Sequence, residues 1–438
     1  MSAAAENDGI DSLTALMRQL HLQDGIAVQD EAEMENNDPP SDTIDLDTDQ
    51  GRNALMMRLH IASTSKEAPV RAKAYEVLSY VSTSKYLYMA SYVRALVDQT
   101  IKVMKEDEPL VVSKVLELWA SLAEMEALIE EANGPTHGFI VAHSPELIPA
   151  ILDHVLARLV EDENHVEPIL TSPDMKASST TTNAALTLWS FSALLAGPQA
   201  LPLIAPFVGK HISTSNPWHL RRAAMVALGI LANYEEAETI VKSSLNLVLD
   251  CRSASQLALM DMAATCVTRI IEHHSQLIDA DTLNKIVEWM DLLDPSNAGH
   301  FTIIAFLLDS LTLYMSFIDE DNDLTDNFAE CRDRLLRIFV RLTGSNSGPK
   351  TSQTWTSIFE CISSFIELGG LDDDEEHHAT IETICTQLTE RLDDTFPTPS
   401  KVAASLQGVF NEAIASNCIS HESAQRLMTT ALSRLNRS

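Results

Sequence analysis

Leu201–Asn233 reads LPLIAPFVGKHISTSNPWHLRRAAMVALGILAN. In its first half Leu203, Ile204, Phe207 and Val208 recur at i, i+1, i+4 and i+5, and in its second half Ala223, Val226, Ala227, Ile230 and Leu231 follow the same rhythm. Each half is therefore a helix with one apolar stripe, and the short polar break before Trp218 folds the two into a hairpin. Neither helix can hide its stripe alone. Stacking against neighbouring hairpins would bury it, which predicts an extended solenoid whose working parts are surfaces rather than a catalytic cleft.

The rest of the chain repeats the theme with drifting sequence. Periodicity and breakers place first helices near Arg52, Ser91, Pro145, Pro198, Glu235, Thr282, Thr325, Glu375 and Ser420. Second helices are expected near Pro69, Pro109, Thr182, Pro217, Ser255, Ala298, Ser352 and Lys401. The period, roughly 37 to 54 residues, brackets the ~40 to 47 of HEAT and armadillo arrays. Pro69, Pro109 and Pro217 stand at or beside first helical turns, where the missing amide costs nothing, and Thr325 and Ser352 are suited to capping. No run of alternating β-branched residues bounded by Asn-Gly or Asp-Gly suggests a strand. The fold expected is all-α, a HEAT-repeat α-solenoid of antiparallel helix pairs over residues 52–438.

Composition fits that reading. The 438 residues are 45% hydrophobic, with only 14 Gly and 5% aromatics, which suits helices better than a β or dinucleotide-binding architecture. No apolar run approaches the ~20 residues that span a bilayer, and the start, MSAAAENDGI, has no signal-peptide core, so membrane insertion is not expected and the compartment expected is cytoplasm or nucleus. Cys251, Cys266, Cys331, Cys361, Cys385 and Cys418 form no CxxC pair and read as small core residues. The formal net charge is −33. Such a surface repels nucleic acid and attracts basic polypeptides. Residues 1–51 carry part of the acidic excess, around Pro39 and Pro40, and read as a mostly disordered acidic segment with one short helix at 11–22.

Catalytic signatures are missing. Gly-rich phosphate loops, GxSxG and HExxH do not occur. Asp319–Glu330 has acids at four positions of a calcium loop, but Leu324 replaces the glycine of its sharp turn. His273-His274 and Glu375–His378 lack a third ligand at helical spacing. No enzyme activity, metal or cofactor is expected.

Particular stretches are more specific. Asn53–Glu131, with LMMRLHIASTSKEAPVRAKAYEVLSYV, YLYMASYVRALVDQTIKVMK and ELWASLAEMEALIEE, resembles the middle HEAT repeats of the importin beta (karyopherin beta) family. Leu201–Asn233 is similar to a later repeat, including Pro-x-Ile-x-Pro-Phe-Val and the Asn-Pro-Trp before Arg-Ala-Ala, and weaker similarity continues through Thr282–Tyr314. The resemblance implies a superhelix with first helices on its convex face and second helices on its concave face. It implies nuclear import through the pore: Phe-Gly repeats of nucleoporins enter outer grooves between first helices, and a basic cargo or the adaptor importin alpha lies against acids and tryptophans inside. Carried onto this sequence, the nucleoporin site is Leu55, Met56, Leu59, Tyr92, Leu96 and Val97, with Ala54 standing where the family has a Phe. The cargo or adaptor site is Glu117, Trp119, Glu124, Glu126, Trp189, Asp261, Glu272, Asp309 and Trp355.

Two departures bear on partners. The family's poly-aspartate loop ending in Trp is matched at Glu161–Thr182 only by EDENH and a polar run. The N-terminal repeats that form much of the contact with the GTPase Ran have no counterpart, Asp11–Leu22 reads as a second helix without its first, and Ser420–Leu435 as a first helix without its second. A HEAT scaffold without transport activity is the alternative reading.

Overall fold

The computed structural model describes residues 10–18, 20, 48–157, 180–317, 328, 331–344, 352–368, 375–391, 399–416 and 418–435. These residues are helices and short connections, with no strand among them. The expectations for residues 21–47, the Asp319–Glu330 loop up to residue 327 and the Glu161–Thr182 loop up to residue 179 fall outside the described residues.

The chain divides into two compact units, Met1–Val160 with Ser172–Phe207, and Glu161–Thr171 with Val208–Ser438. In the first, α1 (Asp49–Ser63) pairs with α2 (Ala68–Ser84) and α3 (Val93–Glu106) with α4 (Pro109–Glu131), followed by α5 (Phe139–Ile151) and α6 (Thr180–His211). Helices α2 and α4 pack side by side as second helices, and α3 packs on α5 in the layer of first helices. The second unit continues with α7 (Trp218–Leu231), α8 (Glu238–Leu249), α9 (Leu257–His274), α10 (Ala280–Leu292), α11 (Ala298–Ser316) and α12 (Arg332–Gly344). It closes with α13 (Ser352–Glu367), α14 (Glu375–Arg391), α15 (Pro399–Ala415) and α16 (His421–Leu435). Here α7, α9, α11, α13 and α15 stack in one layer, and α8, α10, α12, α14 and α16 in the other. That is the two-layer signature of HEAT repeats.

Local chemistry sets the boundaries. Thr48, Asp279 and Asn297 cap α1, α10 and α11 by accepting from backbone amides, and Pro69 and Pro109 lie in first turns where no amide is needed. Capped by Thr48, α1 begins at Asp49, three residues before Arg52 and inside the stretch expected to be disordered. Ser352, expected as a cap, is the first residue of α13.

Two proline expectations are corrected. Helix α5 begins at Phe139, with Pro145 and Pro149 inside it. Its start is held from another helix: the amides of Phe139 and Ile140 donate to the Glu126 carboxylate at 2.5 and 3.1 Å, while Gly138 supplies the left-handed turn at φ 60. Likewise Pro198 starts no new helix, because Thr180–His211 runs continuously with Pro198, Pro202 and Pro206 inside it. By length and composition Phe139–Leu156 and Ala298–Ser316 could cross a bilayer, contrary to expectation, but each is 56% buried among neighbouring helices. All six cysteines are buried thiols.

Candidate functional site

The interior stripe of α1 is Leu55, Leu59 and Ser63, spaced by four, and that of α3 is Val93, Leu96, Val97, Thr100, Val103 and Met104. Side chains at the edge of these stripes and one step round from them meet across the gap between the two first helices. They form a groove of about 400 Å³ whose apolar lining is Met56 and Met57 from α1, Ala95 and Leu96 from α3, and Leu78 beneath. At one end the Tyr92 hydroxyl donates to Asn53 Oδ1; at the other Gln99 donates to Ser63 Oγ at 2.6 Å and meets His60 at 3.2 Å. These bonds hold the rims, so the groove is preformed. Of the six residues assigned to nucleoporin contact, Met56, Tyr92 and Leu96 line it. Leu55, Leu59 and Val97 are at most 2% exposed and pack the interior, and Ala54 is exposed outside the lining. Met57, 60% exposed, escaped the sequence reading, although its place beside Met56 on a stripe of period four could have revealed it.

A second groove, about 460 Å³, lies on the second helices of the same unit. Glu76 and Tyr80 of α2, Glu117 and Glu124 of α4 and Trp189 of α6 share it, joined by Met17 of the helical segment 10–18. Glu117 is bonded to Lys114 at 2.6 Å and Glu76 to Lys73 at 2.7 Å, each within its own helix. This groove gathers Glu117, Glu124 and Trp189 of the nine candidates and adds Glu76 and Tyr80, whose register matches Glu117 and Ser121 on the next second helix.

The other six lie elsewhere. Trp119 is fully buried and its Nε1 donates to Thr100 at 3.1 Å. Glu126 is buried against the start of α5, where it also accepts from the Tyr86 hydroxyl at 2.7 Å. Both are unavailable to a surface ligand. In the second unit Asp261 is 1% exposed, and burial pushes its carboxyl up to about 7 against the opposing pull of Arg222. Burial likewise pushes Asp309 up to about 6, with a hydrogen bond from Ser357 opposing it. Trp355 is buried against Phe301 and Phe359. Glu272 is exposed and paired with Arg269 at 2.6 Å. Among the described residues no cluster of His, Cys, Asp and Glu could hold a metal.

No family model matches the chain. Importin subunit beta-1 of Arabidopsis thaliana is 24% identical over 251 residues, 54% of this chain and 28% of that protein. Yeast importin-beta (Kap95p) superposes with a TM-score of 0.67 at 19% identity, covering 89% of this chain and 48% of that one. Kap95 in its complex with Nup1 gives a TM-score of 0.66 at 18% identity, covering 89% and 47%. The chain therefore spans about half the length of these solved relatives. It carries the HEAT-repeat fold of the karyopherin-beta proteins, and over 54% of its length its sequence is similar to importin beta.

Proposed function

We propose that this chain acts as a karyopherin-beta-like nuclear import receptor, or as the receptor segment of a longer protein, working in cytoplasm and nucleus and at the nuclear pore. The observation that carries the proposal is the apolar α1/α3 groove, which lies between the two helices that the importin beta resemblance singles out. Its volume exceeds the ~150 Å³ cavity that accepts a benzene ring. A phenylalanine of a Phe-Gly repeat enters between Met56 and Leu96, with the flexible thioethers of Met56 and Met57 closing on the ring. Burying one such ring yields about 1.5 to 3 kcal/mol. A millimolar complex needs about 4 kcal/mol, so a single slot binds weakly and exchanges fast, and useful retention comes from many repeats on one strand.

The second-helix groove takes the cargo or an importin-alpha-like adaptor. Its carboxylates meet lysine and arginine heads while Trp189 and Tyr80 offer ring faces to them. The Lys114–Glu117 and Lys73–Glu76 pairs are partly exposed and worth at most about 1 kcal/mol each, so an incoming polycation displaces them.

The test is binding of a labelled Phe-Gly repeat peptide to the full chain, with a Ser-Gly peptide of equal length as comparison. Saturable binding of the first alone is expected. Equal binding of both, or of neither, would overturn the proposal.

A further inference from the structure

The second unit has its own groove between consecutive first helices, about 570 Å³, between α12 and α14. Its lining is different in kind. Helix α12 bears Arg332, Arg334, Arg337 and Arg341 against the single acid Asp333, in a chain with 30 basic and 63 acidic residues. Arg337 and Arg341, one turn apart, face the groove above Leu336 and Val340, opposite His377 and Thr380 of α14. Asp333, the one carboxylate in the lining, meets His377 Nε2 at 3.1 Å.

The two groove arginines are differently disposed. Arg341 is pinned by donating to the carbonyls of Met290 and Asp291, both at 2.7 Å, at the C-terminal end of α10, with Asp291 Oδ1 at 3.5 Å. Those are mostly neutral acceptors, so its charge is oriented but only partly compensated, and its buried Nε has no hydrogen-bond partner among the described residues. Arg337 is exposed and has neither a hydrogen bond nor an ion pair among the described residues. An unpaired guanidinium beside one that is only partly compensated fits carboxylate oxygens in a way the α1/α3 groove does not.

We propose that the α12/α14 groove is a docking site for an acidic protein segment, whose glutamate or aspartate carboxylates bind Arg337 and the outer face of Arg341 while their methylenes lie on Leu336 and Val340. The occupant is chosen by charge: a basic island on so acidic a chain is where an acidic polypeptide meets least repulsion. This proposal does not rest on the transport reading.

The experiment measures anisotropy of a fluorescein-labelled Glu-rich peptide against the full chain, beside the same peptide with Gln for Glu. Salt is set at about 0.01 M and about 1 M, where screening lengths are ~30 Å and ~3 Å. Expected is saturable binding of the Glu peptide at low salt, lost at high salt, and at least about tenfold stronger than that of the Gln peptide. Arg337→Glu should weaken it about tenfold or more, whereas Arg94→Glu, at an exposed arginine of the first unit, should change it less than about twofold. Absence of binding at low salt, equal binding of the two peptides, or indifference to Arg337→Glu would overturn the proposal.

Discussion

The α1/α3 and α12/α14 grooves are built alike, each between consecutive first helices, and end with opposite linings. One is lined by Met56, Met57, Ala95 and Leu96; the other by Arg337, Arg341 and His377. Both have a buried leucine in the lining, Leu78 in the first case and Leu336 in the second. The interior stripe therefore fixes the fold, while the positions one step round from it fix the chemistry. A repeat array can change what a groove binds without disturbing how it stacks.

The comparison breaks most severely if side chains assigned to the interior are really ligand contacts. Trp119→Ala should cost about 3 to 5 kcal/mol of stability, because it leaves a cavity and removes the hydrogen bond to the Thr100 hydroxyl, measured as the unfolding midpoint in denaturant. A midpoint unchanged by that substitution would return Trp119 to the surface. Next in size is Met56→Asp, which places a charge in the α1/α3 groove. It should lower Phe-Gly peptide affinity about tenfold or more and leave the Glu-rich peptide untouched, giving the two grooves separate pharmacology in one binding assay. A similar loss is expected for a basic peptide on Glu117→Lys with Glu124→Lys, read by anisotropy, with the parent's binding falling as salt rises.

A pH effect sharpens the contrast between acids at a groove and acids in the interior. Asp261 has an ordinary value of 3.8 and about 7 in the fold, so the folded chain holds a proton that the unfolded chain has released. Stability contributed by the neutral carboxyl is complete below about pH 4 and declines as pH rises towards about 7, with no further loss above. Asp309, at about 6, acts in the same direction over a narrower window. Asp261→Asn cannot ionise and should flatten the decline, so its melting temperature relative to the parent rises between about pH 5 and about pH 8.

Much of this was legible in the sequence. Apolar spacing marked the stripes of Leu203, Ile204, Phe207 and Val208 and of Ala223, Val226, Ala227, Ile230 and Leu231, and the expected starts at Pro109, Ala298, Ser352 and Glu375 coincide with those of α4, α11, α13 and α14. What failed depended on distant partners. Nothing local announces that Glu126 will cap α5 across a turn, or that Pro198, Pro202 and Pro206 will sit inside one helix. Trp119 and Trp355 look like binding aromatics until their neighbours bury them. Half of the nucleoporin candidates pack the interior instead of lining the groove, because periodicity locates a stripe but not its edge. The arginines of α12 were plainly visible, yet an overall charge of −33 hid their meaning.

The most direct test of the central claim, that the α1/α3 groove accepts phenylalanine, is methyl NMR of the full chain with 13C-methyl methionine, titrated with a Phe-Gly repeat peptide. Among the 15 methionines, those at 56 and 57 should show the largest saturable shifts, driven by the ring current of the entering phenylalanine, and a Ser-Gly peptide should produce none. Shifts confined to methionines outside the groove, or identical responses to both peptides, would contradict it.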